Sequence, residues 1–178
     1  MNEVSINQEA KLSPHFTLGE MTKTSVKGVD NTPDHAAVLN LKNLCVWLEA
    51  LREEYNRRYG EDSSSLPIVI NSGYRSEAVN KAIGGVKGSN HLTGCAVDIH
   101  VSGIEQAIRY AAILLDISEE RKEDFDELLI EGKDFALVSG PSRMAEPPTG
   151  TRPHCRSLWL HFAVRPSGNR RKVRFIQT

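Results

Sequence analysis

The plainest pattern in the chain is an apolar stripe at helical spacing, formed by Leu41, Leu44, Cys45, Leu48, Leu51 and Tyr55. That spacing places all six on one face of a helix, which is then its core face. Thr32-Pro33-Asp34 reads as an N-cap, a proline at the first helical position and an acid in the first turn. Arg57 and Arg58 sit at the other end with Gly60 just beyond, so a helix is predicted over roughly 33–59. Strict alternation marks strands elsewhere. Cys95, Val97, Ile99 and Val101 fall on one face of such a strand and Ala96, Asp98 and His100 on the other. In the same way Leu158, Leu160, Phe162 and Val164 oppose Trp159, His161 and Ala163.

Shorter strands are expected over Leu66–Asn71 and Phe125–Glu131. Ser76 can cap a brief helix, Glu77–Ile83, that stops at Gly84-Gly85. Ser102-Gly103-Ile104-Glu105 reads as a capping box opening another helix, with Ile104, Ala107, Ile108, Ala111 and Leu115 as its buried stripe. Phe16, Leu18 and Met21 offer apolar anchors without a period. Residues 1–11 read as a flexible N-terminal arm and 12–178 as a single domain, with no internal repeat and no dividing linker. Residues 132–156 form a long segment holding Pro141, Pro147, Pro148 and Pro153, and Arg165 to Arg174 a basic tail. The fold class is α+β: a small antiparallel sheet with helices packed on one face and polar side chains on the other.

Those polar side chains carry the candidate chemistry. His91 and Asp98 lie seven positions apart, and Gly94 between them allows the chain to turn so that the two meet. A carboxylate buried among apolar neighbours requires a partner. An imidazole nitrogen and a carboxylate oxygen together suit zinc, although a histidine merely paired with an acid fits the same residues. His161 points away from the core as Asp98 does and supplies a possible third ligand; three protein ligands with one open position is the catalytic arrangement. Cys95 beside His91 invites a nucleophile reading, but alternation turns it away from Asp98 and toward packing. The glycine-rich run Gly84, Gly85 and Gly88 lacks phosphate-binding spacing.

Taken together, Tyr74-Arg75-Ser76, the Ser-x-His-x-x-Gly-x-Ala-x-Asp pattern from Ser89 to Asp98 and the later Trp159-Leu160-His161 resemble metallopeptidase family 15. That family holds zinc D-Ala-D-Ala carboxypeptidases and phage endolysin peptidases and shares the hedgehog fold. Leu12-Ser13-Pro14-His15-Phe16-Thr17-Leu18 resembles the opening of its phage-associated branch, and the likeness runs from about Leu12 to Val164. The resemblance implies a Zn²⁺ cofactor on His91, Asp98 and His161, with Arg75 catalytic and substrate-binding and Ser89 substrate-binding. It implies hydrolysis of a peptide bond in the cell-wall stem peptide, with an endopeptidase or a non-catalytic zinc-stapled wall-binding or tail module as alternatives. Relatives often carry a glutamate three residues before the last histidine, where this chain has Leu158. The pattern Phe-Asp-Gln-Leu-Ile-x-Glu of the phage-associated branch instead nominates Glu131, in Phe125-Asp126-Glu127-Leu128-Leu129-Ile130-Glu131, as the general base. Glu127, on the same strand face, is the reserve candidate, and His154 in the long segment a third. Trp159 either walls the pocket or fills the core.

Bulk properties narrow the picture only slightly. The 178 residues, 39% hydrophobic, are enough for one domain with a core. A net charge of −1 and a pI of about 6.6 give no electrostatic case for nucleic acid. No apolar run is long enough to span a membrane, so no membrane insertion is expected. The first residues lack a basic n-region and an apolar h-region, which predicts cytoplasmic synthesis without a signal peptide and, if the protein is an endolysin, action on the wall after release. Cys45, Cys95 and Cys155 are odd in number and far apart, in keeping with a reducing compartment. The expected partner is peptidoglycan or a muropeptide, met by a monomer.

Overall fold

The computed structural model describes residues 7–60, 65–133 and 157–177. In chain order the elements are α1 (Leu18–Thr22), α2 (His35–Tyr59), β1 (Ile70–Ser72), α3 (Glu77–Ala82), a 3-10 turn (Asn90–Thr93), β2 (Ala96–His100), α4 (Ile104–Arg121), β3 (Glu127–Lys133), β4 (Ser157–Ala163) and β5 (Lys172–Gln177). The class is α+β, as the patterning predicts. The strands form one sheet in the order β1-β2-β4-β3-β5. Its neighbours run antiparallel except β3 and β5, which are parallel, so the sheet is mixed.

The α2 stripe is buried throughout, with Ala37 and Trp47 added to it. Trp47 packs on Phe162 of β4 at 5.5 Å between ring centroids, and with α4 this layer covers Val97, Ile99, Leu128, Leu160 and Phe162 on one sheet face. The start of α2 differs from expectation: Asp34, not Thr32, is the N-cap, its Oδ1 accepting from Ala37 N–H at 2.7 Å. The carboxylate is the stronger acceptor for an orphan helix donor and lies two residues closer to the stripe. Asn56 closes the far end, accepting from Leu66 N–H and donating to Leu66 O.

The expected stripe of α4 is corrected. Tyr110, Ile113, Leu114 and Ile117 are buried with Ala107, whereas Ile104 and Ile108 are exposed. Tyr110 sets the rotation, because it meets Tyr55 edge-on at 4.7 Å and accepts a hydrogen bond from Gln106. A large aromatic ring recruits more contact than two aliphatic side chains at the rim. The capping box is absent as well. Gly103 is the N-cap without a side-chain bond, and Gln106 Oε1 accepts from Ser102 N–H, while Glu105 pairs with Arg109.

Three further boundaries move. β1 is shorter than Leu66–Asn71, because the chain before Ile70 joins the sheet only through His100 N–H donating to Val69 O. β3 begins two residues later than Phe125 and extends to Lys133. α3 ends at Ala82, capped by Ser76 as expected. Two helices or strands were not anticipated: α1, opened by a capping box between Thr17 and Glu20, and β5, which begins in the basic tail and runs beyond it. Of the N-terminal arm, residues 8 and 10 hydrogen-bond through their carbonyls to Gly19 and Leu18. Among the described residues no helix is long and apolar enough to cross a membrane. Residues 134–156, with His154 and Cys155, lie outside the described residues, and Cys45 and Cys95 are free and buried.

Gly94 joins the 3-10 turn to β2 and also touches α2. Its φ is +70°, and a Cβ there would sit 2.6 Å from Ala37 O. Gly88 has a φ of +85° but open space around it. Gly94→Ala should therefore destabilise the protein by more than the ~1–2 kcal/mol of left-handed backbone cost, and Gly88→Ala by about that cost alone. Urea unfolding of the two variants checks the difference. Equal midpoints would show that α2 yields at no cost.

Candidate metal centre

The site lies on the sheet face opposite the helices, and the strand register assembles it. Asp98 of β2 stands directly opposite His161 of β4, with Ser72 of β1 beyond Asp98 and Leu129 of β3 beyond His161. One residue pair to either side on the same face come Glu127, and then Glu131 with Trp159. His91 enters from the 3-10 turn. Ser89 caps that turn, accepting from His91 N–H at 3.4 Å, and Gly94 ends it in the left-handed conformation.

His91, Asp98 and His161 are all buried, and one ligand atom from each lies within 4.8 Å of the others. His91 Nδ1 donates to Gly73 O at 2.6 Å, which leaves Nε2 facing Asp98 Oδ1 at 3.3 Å. Gly73 can approach because it has no side chain: a Cβ would meet Met21 O at 2.4 Å. His161 Nδ1 lies 2.9 Å from the same Asp98 oxygen. Donor atoms around a tetrahedral zinc at ~2.1 Å stand about 3.4 Å apart; the His91–Asp98 separation matches that and the His161–Asp98 one is shorter. The donor set, two imidazoles and a carboxylate, is also one that zinc accepts. The trio thus fits a metal ion.

Electrostatics keep the centre balanced. Burial alone would raise the Asp98 carboxyl, but the two imidazoles outweigh it and hold that group well below the usual carboxylate range. Asp98 Oδ2 also accepts from Arg75 Nη2, while Arg75 Nε donates to Ser72 Oγ at 2.8 Å. Burial lowers His91. His161 is raised despite burial, through Asp98 and the nearby Glu127 carboxylate. The two nearby glutamates part ways. Glu127 is held far down by His161 and, against its own burial, by Lys172. Glu131 is raised, chiefly by burial and further by the charges on Asp98 and Glu127, with His161 and the Trp159 indole opposing.

Arg75, Ser89, Glu127, Glu131 and Trp159 all line one cavity of about 720 Å³ together with the trio. Trp159 therefore walls the pocket. Cys95 is buried away from the trio, and His100 is exposed at the end of β2, so neither belongs to the cluster. His154 lies outside the described residues.

Sequence reasoning missed the support around Glu127 and Asp126. Asp126 is fully buried and accepts from Arg170 Nη2 at 2.6 Å, Arg170 Nε at 2.8 Å and Asn90 Nδ2 at 2.8 Å. It thereby ties the residue beside His91 to the segment entering β5. The available signal was an acid between two core residues, Phe125 and Leu128, in a chain with an unassigned basic tail. Burial of such an acid demands cations from somewhere.

No curated protein matches the chain at a significant level. A family model described as Peptidase M15 matches residues 14–125. The matched stretch runs from before α1 to the approach to β3 and includes His91, Asp98 and Arg75, while His161 and both glutamates come from the strands that follow. That is well over half of the chain, and the chain belongs to the peptidase M15 family, a family of metallopeptidases.

Proposed function

We propose that the protein is a zinc-dependent peptidoglycan peptidase, D-Ala-D-Ala carboxypeptidase-like, hydrolysing a peptide bond of the cell-wall stem peptide. One observation carries this reading: the buried His91-Asp98-His161 trio shares a cavity with an arginine and with a glutamate whose proton affinity is raised. His91, Asp98 and His161 would hold the zinc, which would supply Lewis acidity for the scissile carbonyl and for water. Glu131 takes the proton from the attacking water and returns it to the leaving amine. Among the described residues no lysine or arginine forms an ion pair with Glu131, whereas Lys172 and Arg170 both pair with Glu127. Arg75 binds the substrate carboxylate or the oxyanion with its planar fork. Trp159 shields the reacting bond, and Ser89 presents a hydroxyl at the rim.

A second reading, an endopeptidase cutting the stem or cross-bridge, is favoured by the shape of the groove. A neighbouring cavity of about 570 Å³ shares Gly88, Ser89, Asn90 and Arg170 with the first, so a longer peptide can lie across both. Against a purely structural zinc, the described residues offer three grouped ligands and no fourth. In the endolysin reading the protein meets the wall after release from the cell that makes it. Mass spectrometry of muropeptides, with and without a chelator, separates the readings. Chelator-sensitive release of single D-alanine supports the first and of larger fragments the second. No cleavage by zinc-loaded protein would overturn both.

Three outcomes are expected at the level of residues. The purified protein should bind about one zinc per chain, and His91→Ala or Asp98→Ala should lose it; elemental analysis showing full occupancy in both would remove the ligand assignment. Glu131→Gln should keep fold and zinc yet lose roughly a hundred-fold or more in kcat, the scale of a missing general base. Parent-like turnover on muropeptides would place the proton acceptor elsewhere. Arg75→Lys should retain zinc but lose about a hundred-fold in kcat/KM, the scale of one preorganised donor. Unchanged kinetics there would end the substrate role.

A further inference from the structure

We propose that Glu127 is a positioning residue for the metal centre: it receives the Nε2–H of His161 and so fixes that ring with Nδ1 turned to the metal. The inference rests on the zinc reading above and concerns how the third ligand is aimed. His161 has two ring nitrogens with separate surroundings. Nδ1 lies 2.9 Å from Asp98 Oδ1, on the metal side. Nε2 is buried and closes no hydrogen bond among the described residues, and Glu127 Oε2 stands 3.5 Å from it. A neutral imidazole that gives Nδ1 to a metal carries its proton on Nε2, and a buried N–H needs an acceptor.

Glu127 is built to be that acceptor. Its Oε1 takes Lys172 Nζ at 2.9 Å and Arg170 Nη2 at 3.1 Å, so the positive charges gather on one oxygen. Its Oε2 takes Asn90 Nδ2 at 3.2 Å and faces His161. Asn90 adjoins His91 in the chain, and its amide also donates to Asp126. The same carboxylate therefore fixes the ring of one ligand and the backbone turn that carries another. His91 provides the parallel: its Nδ1 is held by Gly73 O, which leaves Nε2 for the metal. The two histidines present opposite nitrogens, and each is aimed by an acceptor on the nitrogen it does not use. Such outer partners fix the tautomer and raise ligand basicity, and their loss costs metal affinity.

The test is zinc affinity, measured by competition with a chromophoric chelator, together with the protonation pattern of ¹⁵N-labelled histidine in the zinc-loaded protein. Glu127→Ala should weaken zinc binding about 10- to 100-fold, the usual scale for such partners. Glu127→Gln keeps an acceptor oxygen without its charge and should fall between that variant and the parent. In the parent, the His161 ring should show its proton on Nε2; in Glu127→Ala that resonance should broaden or vanish while His91 keeps its proton on Nδ1. A purely structural role would not single out one nitrogen of one ring. His161→Ala is the reference for the metal reading and should abolish binding. If Glu127→Ala binds zinc as the parent does while His161→Ala does not, this inference falls and the zinc centre stands. If His161→Ala also binds as the parent does, both fall. Should Glu127→Ala fail to fold, Glu127→Gln decides, and a parent-like affinity there overturns the proposal.

Discussion

The interaction on which the site depends is the neutralisation of Asp98. A carboxylate this deeply buried is costly unless several donors reach it. Here Oδ1 faces both imidazoles and Oδ2 faces Arg75, so its partners converge from three separate parts of the chain. Each arrives by a different physical route. His161 is delivered by strand register, being the residue opposite Asp98 in the β2–β4 ladder. His91 is delivered by a turn that the left-handed Gly94 ends against α2. Arg75 is delivered by the exit from β1, its backbone N–H bonded to His91 O at 3.0 Å. Fixing Asp98 therefore fixes the relative position of β1, the 3-10 turn and β4.

What could be read in the sequence follows from how local each cause is. The α2 stripe and the alternation around Asp98 and His161 are properties of single segments, and they appear in the structure as expected. The α4 face was misjudged because its rotation follows Tyr110 onto Tyr55, an aromatic partner on another helix that no local pattern reveals. The Ser102 cap failed for a similar reason, since Gln106 lies within reach of the same backbone donor and a glutamine at that position also touches Tyr110. β5 was hidden by its charge. Lys172 and Arg174 alternate with Val173 and Phe175, which is strand patterning, but Val173 and Phe175 remain half-exposed, and the clustered cations read as a solvated tail.

The same missing strand explains why the two glutamates of β3 were ranked only by the family resemblance and not by anything in the residues themselves. They are identical in type, face and strand, and they differ only in what stands beside them. Lys172 is the register partner of Glu127 across the parallel β3–β5 pair, whereas Glu131 stands opposite Ile176 in the same pair. Opposite charge near a carboxylate holds it ionised, and an apolar neighbour with two other acids nearby favours its protonated form. The environments thus push the two groups apart in the directions that separate a permanently charged anchor from a group able to exchange a proton.

β5 thus has a part in the centre although none of its residues belongs to the metal-facing trio. It supplies Lys172, and the segment leading into it supplies Arg170, which reaches both Asp126 and Glu127. Those two acids in turn hold Asn90, next to His91. A path of hydrogen-bonded charge therefore runs from the C-terminal strand to the turn carrying the first histidine, and through Glu127 to the ring of the last. Removing β5 together with the segment that leads into it would leave Asp126 buried without Arg170, and a buried acid without its cation is costly enough to move the strand that carries it. Because β3 also lies beside His161 in the ladder, that movement would reach a metal-facing residue directly. The parallel strand at the edge of the sheet is in this sense a condition of the geometry at its centre.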